Sequence, residues 1–593
     1  MSAFQERLGD KLKTIGEVRE RCGVGSISFG VLHHGEVIFT GSTGHRDVLE
    51  KKDPDTSTLY TLCSISKSFI AAAIGILVHR GKCKWTDAVG RYIPEFKPKG
   101  DVRVATKATF NDFLRHSGGL ANPVVTLLGP EGKVLVSQED FINVLNDTPN
   151  GNERFGTYYS RTWEYSNVSH GLLALVVERI SEKRYADFIS EEILKPLGMN
   201  DTVVYKSRLS SDANIAHSYV RLSDGSWCKQ PDHEWTNECN TPVLAMVGIR
   251  SSIKDLLIWC AATMDAQWGE ESKPLAALSN IEINPLKEVN SILNRAYWTR
   301  PHKDDLQSLS NFHLSWYKCV MPSSMVHWGS WNMSLADNGN KDQNYINENI
   351  LGRDSPPQPL YKITGIGFCG TASVNLFPKT MSAVVVLGSG LNIGDPSDFT
   401  AAIMIQALFD LKKQIDIIPM VSYEREMRLR DWKSLKNDWN KHRDIYSVEH
   451  PAKEYVGQYT GLGITLTVRA NAVSEGLQLI FNGREEIMQN LEYYNEDMYS
   501  YQPTDRDNWL RGGWLDWDYF MVGILHFKRK NGLVSGVTWD PKQPKGSEHK
   551  AETDPSEKSS TGGGGNGGSG GSGGGTSGGD GSSDQAPNHS GKR

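Results

Sequence analysis

Residues 64–79 read SISKSFIAAAIGILVH. A Ser-x-x-Lys start runs straight into a continuous apolar stretch. Spacing of three on a helix puts Ser64 and Lys67 on one face, with the hydroxyl near the helix start. A serine hydroxyl is a poor nucleophile until a neighbouring base takes its proton, and a buried lysine is such a base when neutral. Bringing a lysine from about 10.4 to about 7 takes roughly 4 to 5 kcal/mol, which burial and a nearby cation supply. The spacing recurs at Ser251 to Lys254 and Ser547 to Lys550. Alone, it equally describes a serine capping a core helix while the lysine snorkels to solvent.

Downstream, Tyr165-Ser166-Asn167 stands directly before VSHGLLALVVERI, an amphipathic helical pattern. On a turn, positions i and i+2 project a phenol and an amide into one cleft. The phenol suits taking or relaying a serine proton, and the amide suits holding a substrate carbonyl and orienting Lys67. Tyr345 to Asn347 and Tyr493 to Asn495 share the spacing. Upstream, VGSISFGVLHHGEVIFTGST alternates apolar and polar residues around His33, His34 and Gly35, a β-hairpin pattern. Ser169 to Ile180 and Tyr185 to Leu194 have helical spacing, and Ala383 to Leu387 reads as a central strand. Tyr423 to Asp444 is charged with one apolar face and reads as a helical connector. Beyond Tyr455, short alternating segments with turns at Asn482-Gly483 and Asn531-Gly532 indicate a small all-β domain. Trp509, Trp514 and Trp517 read as its core and edge aromatics. From Thr561 to Arg593 there are 15 glycines in 33 residues, the composition of a flexible tail.

The whole chain has 593 residues, with 64 Lys and Arg against 70 Asp and Glu, net charge −6. That balance offers no general attraction for nucleic acid or anionic lipid. The first residues contain no apolar signal core, and the longest apolar runs are about half a bilayer span. A soluble, cytoplasmic protein with no membrane partner is the expectation. The eight cysteines, at 22, 63, 83, 228, 239, 260, 319 and 369, form no Cys-x-x-Cys pair and read as reduced thiols.

Taken in order, these stretches resemble the serine β-lactamase and penicillin-binding-protein superfamily, and within it the class C β-lactamase-like esterases, peptidases and transesterases. Besides the two motifs, the resemblance rests on the opening hairpin, on TFNDFLRHSGGL (109–120) and on ISEEILKPLGMNDT (189–202). It also includes MVGIRSSIKDLLIWCAATM (246–264) and TASVNLFPKTMSAVVVL (371–387). With its late β-domain the chain looks most like fungal members. The resemblance implies an α/β (α+β) fold of the β-lactamase/transpeptidase type: an antiparallel sheet flanked by helices over residues 1–412. A connector (413–450), a C-terminal β-domain (451–541) and a Gly/Ser-rich tail (542–593) would follow. It implies an acyl-enzyme on Ser64, with Lys67 and Tyr165 managing its proton and Asn167 binding substrate. The implied substrate is a small molecule, and no metal or cofactor is required. The oxyanion would rest on two backbone N–H groups, one from Ser64 and one from an edge strand. His116 and His170 fall in segments that the family uses for structure.

One departure stands out. Where the family carries Lys-Thr-Gly or His-x-Gly, this chain has Tyr361-Lys362-Ile363-Thr364-Gly365-Ile366. Thr364 and Gly365 match, and the Ile366 N–H suits the second oxyanion donor. Ungapped, Ile363 replaces the cation; a one-residue slip substitutes Lys362 but turns it to the other strand face. Loss of the cation disfavours carboxylate recognition, so an esterase or amidase of secondary metabolism is expected before a β-lactamase. An acyltransferase on a metabolite hydroxyl or amine and a non-catalytic binding protein are the alternatives. Neither substrate identity nor oligomeric state is encoded in a motif.

Overall fold

The hairpin around His34-Gly35 and the valine run at 383–387 pair with each other in the computed structural model, and the main sheet grows from that pairing. The structure describes residues 3–539 except positions 10, 149, 211, 233, 279, 282, 328, 445, 448, 462 and 504. The stretches 151–162, 206–208, 235–239, 270–275, 290–297, 300–310, 333–347, 472–475 and 515–522 are also excepted. The tail expected over 542–593, and Trp517, lie outside the described residues.

Strands β1 (Ser26–His33) and β2 (Glu36–Gly44) form the hairpin. Its two-residue turn needs left-handed backbone at both positions, which His34 (φ 51°) and Gly35 (φ 80°) adopt. Then come β3 (Trp298–Thr299), β4 (Asn311–Phe312), β5 (Tyr317–Met321), β6 (Gln358–Gly367), β7 (Gly370–Phe377) and β8 (Ser382–Gly388). These eight strands make one antiparallel sheet, ordered β2-β1-β8-β7-β6-β5-β4-β3. Central strands alternate between two cores. Ala383, Val385 and Leu387 face one, while Val384 and Val386 face the other.

The longest helices are α1 (Lys11–Cys22), α2 (Ser66–His79), α3 (Asn167–Ser181), α4 (Ile253–Trp268), α5 (Pro396–Phe409) and α6 (Ile417–His442). On one face of the sheet, α2, α3 and α4 bury their apolar residues. Helix α2 is apolar all round and is buried from Ser66 to Leu77, as such a helix must be. On the other face lie α1, α5 and the first turns of α6. Helix α6 begins at Ile417, ahead of the charged stretch from Tyr423. Asp416 caps it, and Ile417, Met420 and Val421 dock that first apolar turn on the sheet-covering core.

The stretches 122–154 and 302–359 contain short pieces of regular structure. Phe141–Asp147 is helical within 122–154, and β4, β5 and the start of β6 lie within 302–359. Elements this short are held by pairing with neighbours rather than by their own periodicity.

Beyond α6, strands β9 (Gly457–Gly461), β10 (Ile464–Ala470), β11 (Leu477–Phe481), β12 (Arg484–Asn495), β13 (Met498–Ser500), β14 (Ile524–Lys530) and β15 (Leu533–Trp539) follow. They pair in sequence order as an antiparallel, nearly closed sheet around Leu466, Leu479, Phe481, Leu525 and Phe527. Asn482-Gly483 and Asn531-Gly532 supply the positive-φ turns that the sequence indicated. This domain touches the first at two places. Arg484 Nη1 donates to the Val134 carbonyl at 2.8 Å and Arg484 Nη2 to Glu234 at 2.9 Å. The Trp509 ring meets Phe368 and Trp432 at 4.9 and 5.1 Å. Among the described residues no helix is long and apolar enough to cross a membrane.

Candidate active site

Ser64 sits in a 3₁₀ turn, Cys63–Ile65, that feeds directly into α2, so its hydroxyl stands at the helix start. The turn is clamped from two sides. Leu62 N–H donates to Ile249 O at 2.8 Å, and Ile249 N–H donates to Ser66 Oγ at 3.2 Å. On the opposite side β6 approaches so closely that a Cβ on Gly365 would lie 2.0 Å from the Leu62 carbonyl oxygen. Only glycine allows that approach, which brings the Ile366 backbone alongside the serine turn. Cys63 pays for the geometry with a left-handed backbone, φ 47°.

One turn along α2, Lys67 is 2% exposed. Its Nζ donates to Ser64 Oγ at 3.0 Å and to the Met246 carbonyl at 2.8 Å. Burial lowers its pKa from 10.5 to about 7. Ordinary lysines stay charged at neutral pH; this one is divided between its two forms.

Tyr165 Oη donates to the same Ser64 Oγ at 2.9 Å. Burial pushes its pKa up to about 12, so the phenol keeps its proton. The turn bearing it is fastened to the 116–122 segment. Ser166 N–H donates to His116 Nδ1 at 3.1 Å, Ser166 Oγ to the Ala121 carbonyl at 3.1 Å, and Asn167 N–H to Asn122 Oδ1 at 2.9 Å. His116 therefore accepts at Nδ1, carries its proton on Nε2, and lies against the Tyr165 ring at 4.2 Å. Burial holds it and His170 well below the usual histidine range. His170 Nε2 pairs with Ser315 Oγ at 2.9 Å.

Asn167 lines the same cavity, but its Nδ2 reaches Asn122 Oδ1 at 3.4 Å rather than Lys67. The orienting of Lys67 falls instead to the Met246 carbonyl. No side-chain motif announces a main-chain oxygen, so sequence reading missed it. Asn122 was missed as well, although it closes the HSGGLAN run that carries His116.

In the third segment, Ile363, Thr364 and Ile366 line the cavity. Thr364 Oγ1 donates to the Gly329 carbonyl at 2.6 Å, fixing the loop that carries Trp331. Lys362 points away and is 2% exposed. Its Nζ is 2.6 Å from Asp398 Oδ1 under α5, where Asp398 also pairs with His327 at 2.7 Å. The Lys362 ammonium and the His327 ring together hold the Asp398 carboxyl far below the usual range against the cost of burial. Of the two alignments the sequence allowed, the ungapped one describes the cavity. Ile363 occupies the cation's place, and Lys362 is spent on a buried ion pair.

The cavity these groups enclose measures about 370 Å³. Leu127, Leu128, Phe312, Trp331, Phe368 and Leu391 make much of its wall, and among the described residues Lys67 is the one lysine or arginine lining it.

An antiparallel sheet between helical layers, with a Ser-x-x-Lys helix start facing a tyrosine, defines the serine acyl-enzyme class of folds. The chain belongs to the β-lactamase family, whose model, described as Beta-lactamase, matches residues 12–388. Penicillin-binding protein 4* of Bacillus subtilis (strain 168) is 31% identical over 222 residues, 36% of this chain and 46% of that protein. Protein flp of Staphylococcus aureus (strain MW2) is 24% identical over 181 residues, 30% of this chain and 35% of that protein. The matches thus span less than half the length of these curated relatives. An octameric penicillin-binding protein homologue from Pyrococcus abyssi shares the fold, with TM-score 0.50 and 18% identity, covering 89% of this chain and 99% of that one. So does a class C β-lactamase with a tyrosine-to-phenylalanine change, with TM-score 0.50 and 17% identity, covering 68% and 97%.

Proposed function

We propose that this protein is a serine hydrolase that forms an acyl-enzyme on Ser64 with esters or amides of uncharged small molecules. The observation that carries the reading is Ser64 Oγ held between Lys67 Nζ and Tyr165 Oη. With the phenol pushed up to about 12 and the lysine lowered to about 7, Lys67 is the base of the pair. Neutral Lys67 takes the Ser64 proton as Oγ attacks the carbonyl carbon. The oxyanion accepts from the N–H groups of Ser64 and Ile366. As the tetrahedral species collapses, the leaving group takes a proton through Tyr165, which Lys67 replaces. Water then repeats the sequence on the acyl-enzyme and frees the acid.

The neutral substrate follows from the lining. A carboxylate entering an apolar cavity loses several kcal/mol of hydration unless a cation meets it. Ile363 offers none. An apolar wall also disfavours water as acceptor, which supports acyl transfer to a hydroxyl or amine of a metabolite, such as a secondary metabolite, as a second reading. Adding an alcohol to the assay separates the two by the ratio of ester to acid formed.

Intact mass after treatment with a fluorophosphonate tests the first reading. A single adduct on wild type, absent from Ser64→Ala, is expected, with a loss of roughly 10⁴- to 10⁶-fold in p-nitrophenyl ester turnover in the variant. Full activity in Ser64→Ala overturns it. A folded wild type that takes no adduct favours a binding protein that kept the fold.

A further inference from the structure

Two thiols flank the serine turn and have no part in the mechanism above. Cys63 immediately precedes Ser64 and is fully buried. Cys369 is half-buried at the tip of the β6–β7 hairpin, where Phe368 and Cys369 form the two-residue turn between the paired Gly367 and Gly370. Their Sγ atoms are 3.9 Å apart, and Cys63 Sγ also donates to the Gly370 carbonyl at 3.5 Å. The contact joins residues 306 apart in sequence, one next to the nucleophile and one next to the cavity wall.

We propose that Cys63 and Cys369 form a dithiol modification site for small disulfides such as oxidised glutathione, and that its closure to a disulfide disables the neighbouring serine. The chemical roles divide by environment. The contact between the two sulfurs, with the charge of Arg250 nearby, favours the Cys369 thiolate while making Cys63 harder to ionise. Cys369 is also the more exposed of the two. It attacks one sulfur of the glutathione disulfide, forming a mixed disulfide and releasing one glutathione thiolate. Cys63 then gives up its proton and attacks Cys369 Sγ, expelling the second glutathione. Two protein thiols become one disulfide, and one glutathione disulfide becomes two glutathione thiols.

The bond requires the sulfurs to close by about 1.9 Å, from 3.9 Å to roughly 2.05 Å. Cys63 is the fixed partner, because the Leu62–Ile249 hydrogen bond and the packing of Gly365 immobilise its turn. The hairpin tip moves. It carries Phe368, which lines the cavity, and continues the strand that presents the Ile366 N–H. An ångström of displacement at an oxyanion donor costs about 100-fold in rate.

The effect on the serine rests on the reading of Ser64 as nucleophile; formation of the bridge does not. The test treats the full chain with oxidised glutathione, maps its peptides without reduction, and follows labelling of Ser64 by a fluorophosphonate. A peptide pair joined through Cys63 and Cys369 is expected. Labelling should slow at least about tenfold and recover with dithiothreitol. Cys369→Ser should label as reduced wild type does and ignore the oxidant, and Cys63→Ala should leave Cys369 as a glutathione adduct. Recovery of both cysteines as free thiols overturns the proposal. So does a bridge that leaves labelling unchanged, or loss of labelling in oxidised Cys369→Ser. If reduced wild type takes no label, the nucleophile reading fails by itself, and the peptide map still decides the thiol site.

Discussion

In the proposed mechanism Lys67 concentrates the chemistry in one buried amine, and its charge state would set the pH dependence. Only the neutral amine accepts the Ser64 proton, and its pKa stands near 7. Turnover should therefore rise with pH through an apparent pKa near 7 and fall roughly 50-fold between pH 7 and pH 5. A pH–rate profile on a neutral ester checks this; a flat profile from pH 5 to 8 contradicts it. The histidines behind Tyr165 titrate with a different consequence. His116 and His170 are held well below 6.5 in the fold, so below that pH the unfolded chain binds protons that the folded one refuses. Stability should then drop on acidification from about pH 6.5, by up to roughly 1.4 kcal/mol per pH unit for each histidine. Urea midpoints at pH 7.0 and 5.5 measure the slope, which should shrink in His170→Gln. Ser-x-x-Lys and Tyr-x-Asn were legible in the sequence because they are side chains at fixed spacing. The acceptor that orients Lys67, a carbonyl 179 positions away, carried no such mark.

At the scale of elements, β6 walls the cavity and backs the serine turn. Its Gly365 lies against the Leu62 carbonyl, and the 2.0 Å approach leaves no space for a methyl group. Gly365→Ala should push the strand off the serine turn, with at least about 100-fold lower kcat/KM and 1–3 kcal/mol lower stability, read by kinetics and thermal melts. Ile363→Lys should restore a cation at the wall. The ratio of kcat/KM for a carboxylate-bearing ester over its neutral methyl ester should rise at least about tenfold, and an unchanged ratio would show that charge at this position does not select. The order and type of the main elements were readable from alternation and 3.6-residue spacing. The choice between Lys362 and Ile363 was not, because a one-residue slip in a strand preserves composition while inverting every side chain. Asp398 resolves it by offering Lys362 a partner on the far face. That partner lies 36 residues ahead, beyond any local reading.

Across the whole molecule, the C-terminal β-domain supports the cavity from behind. Arg484 holds Val134, seven residues beyond the cavity-lining Leu127, and Trp509 backs Phe368. Arg484→Ala should loosen the first of these supports by about 1 kcal/mol, raising KM roughly fivefold with little change in kcat. Steady-state kinetics checks the split, and a fall confined to kcat would locate the effect elsewhere. The sequence showed that a β-domain was present from its turns and strand texture. Its seat could not be read, since Arg484 and Glu234 are ordinary surface residues until the fold brings them together.

Helix α6 ties the two halves by angle as well as by length. Its first turn is sunk in the core of the first domain, Trp432 meets Trp509 farther along, and Trp439 meets Tyr494 at 5.2 Å. These anchors lie on one rigid screw of 26 residues, so their azimuths are locked together. One alanine inserted in mid-helix would turn everything beyond it by about 100° while lengthening the helix by only about 1.5 Å. Both tryptophans would swing off their partners, whereas an insertion of seven residues would nearly restore their bearing at the cost of about 10 Å of separation. Single-residue insertions and deletions within this helix should therefore be expelled by heredity.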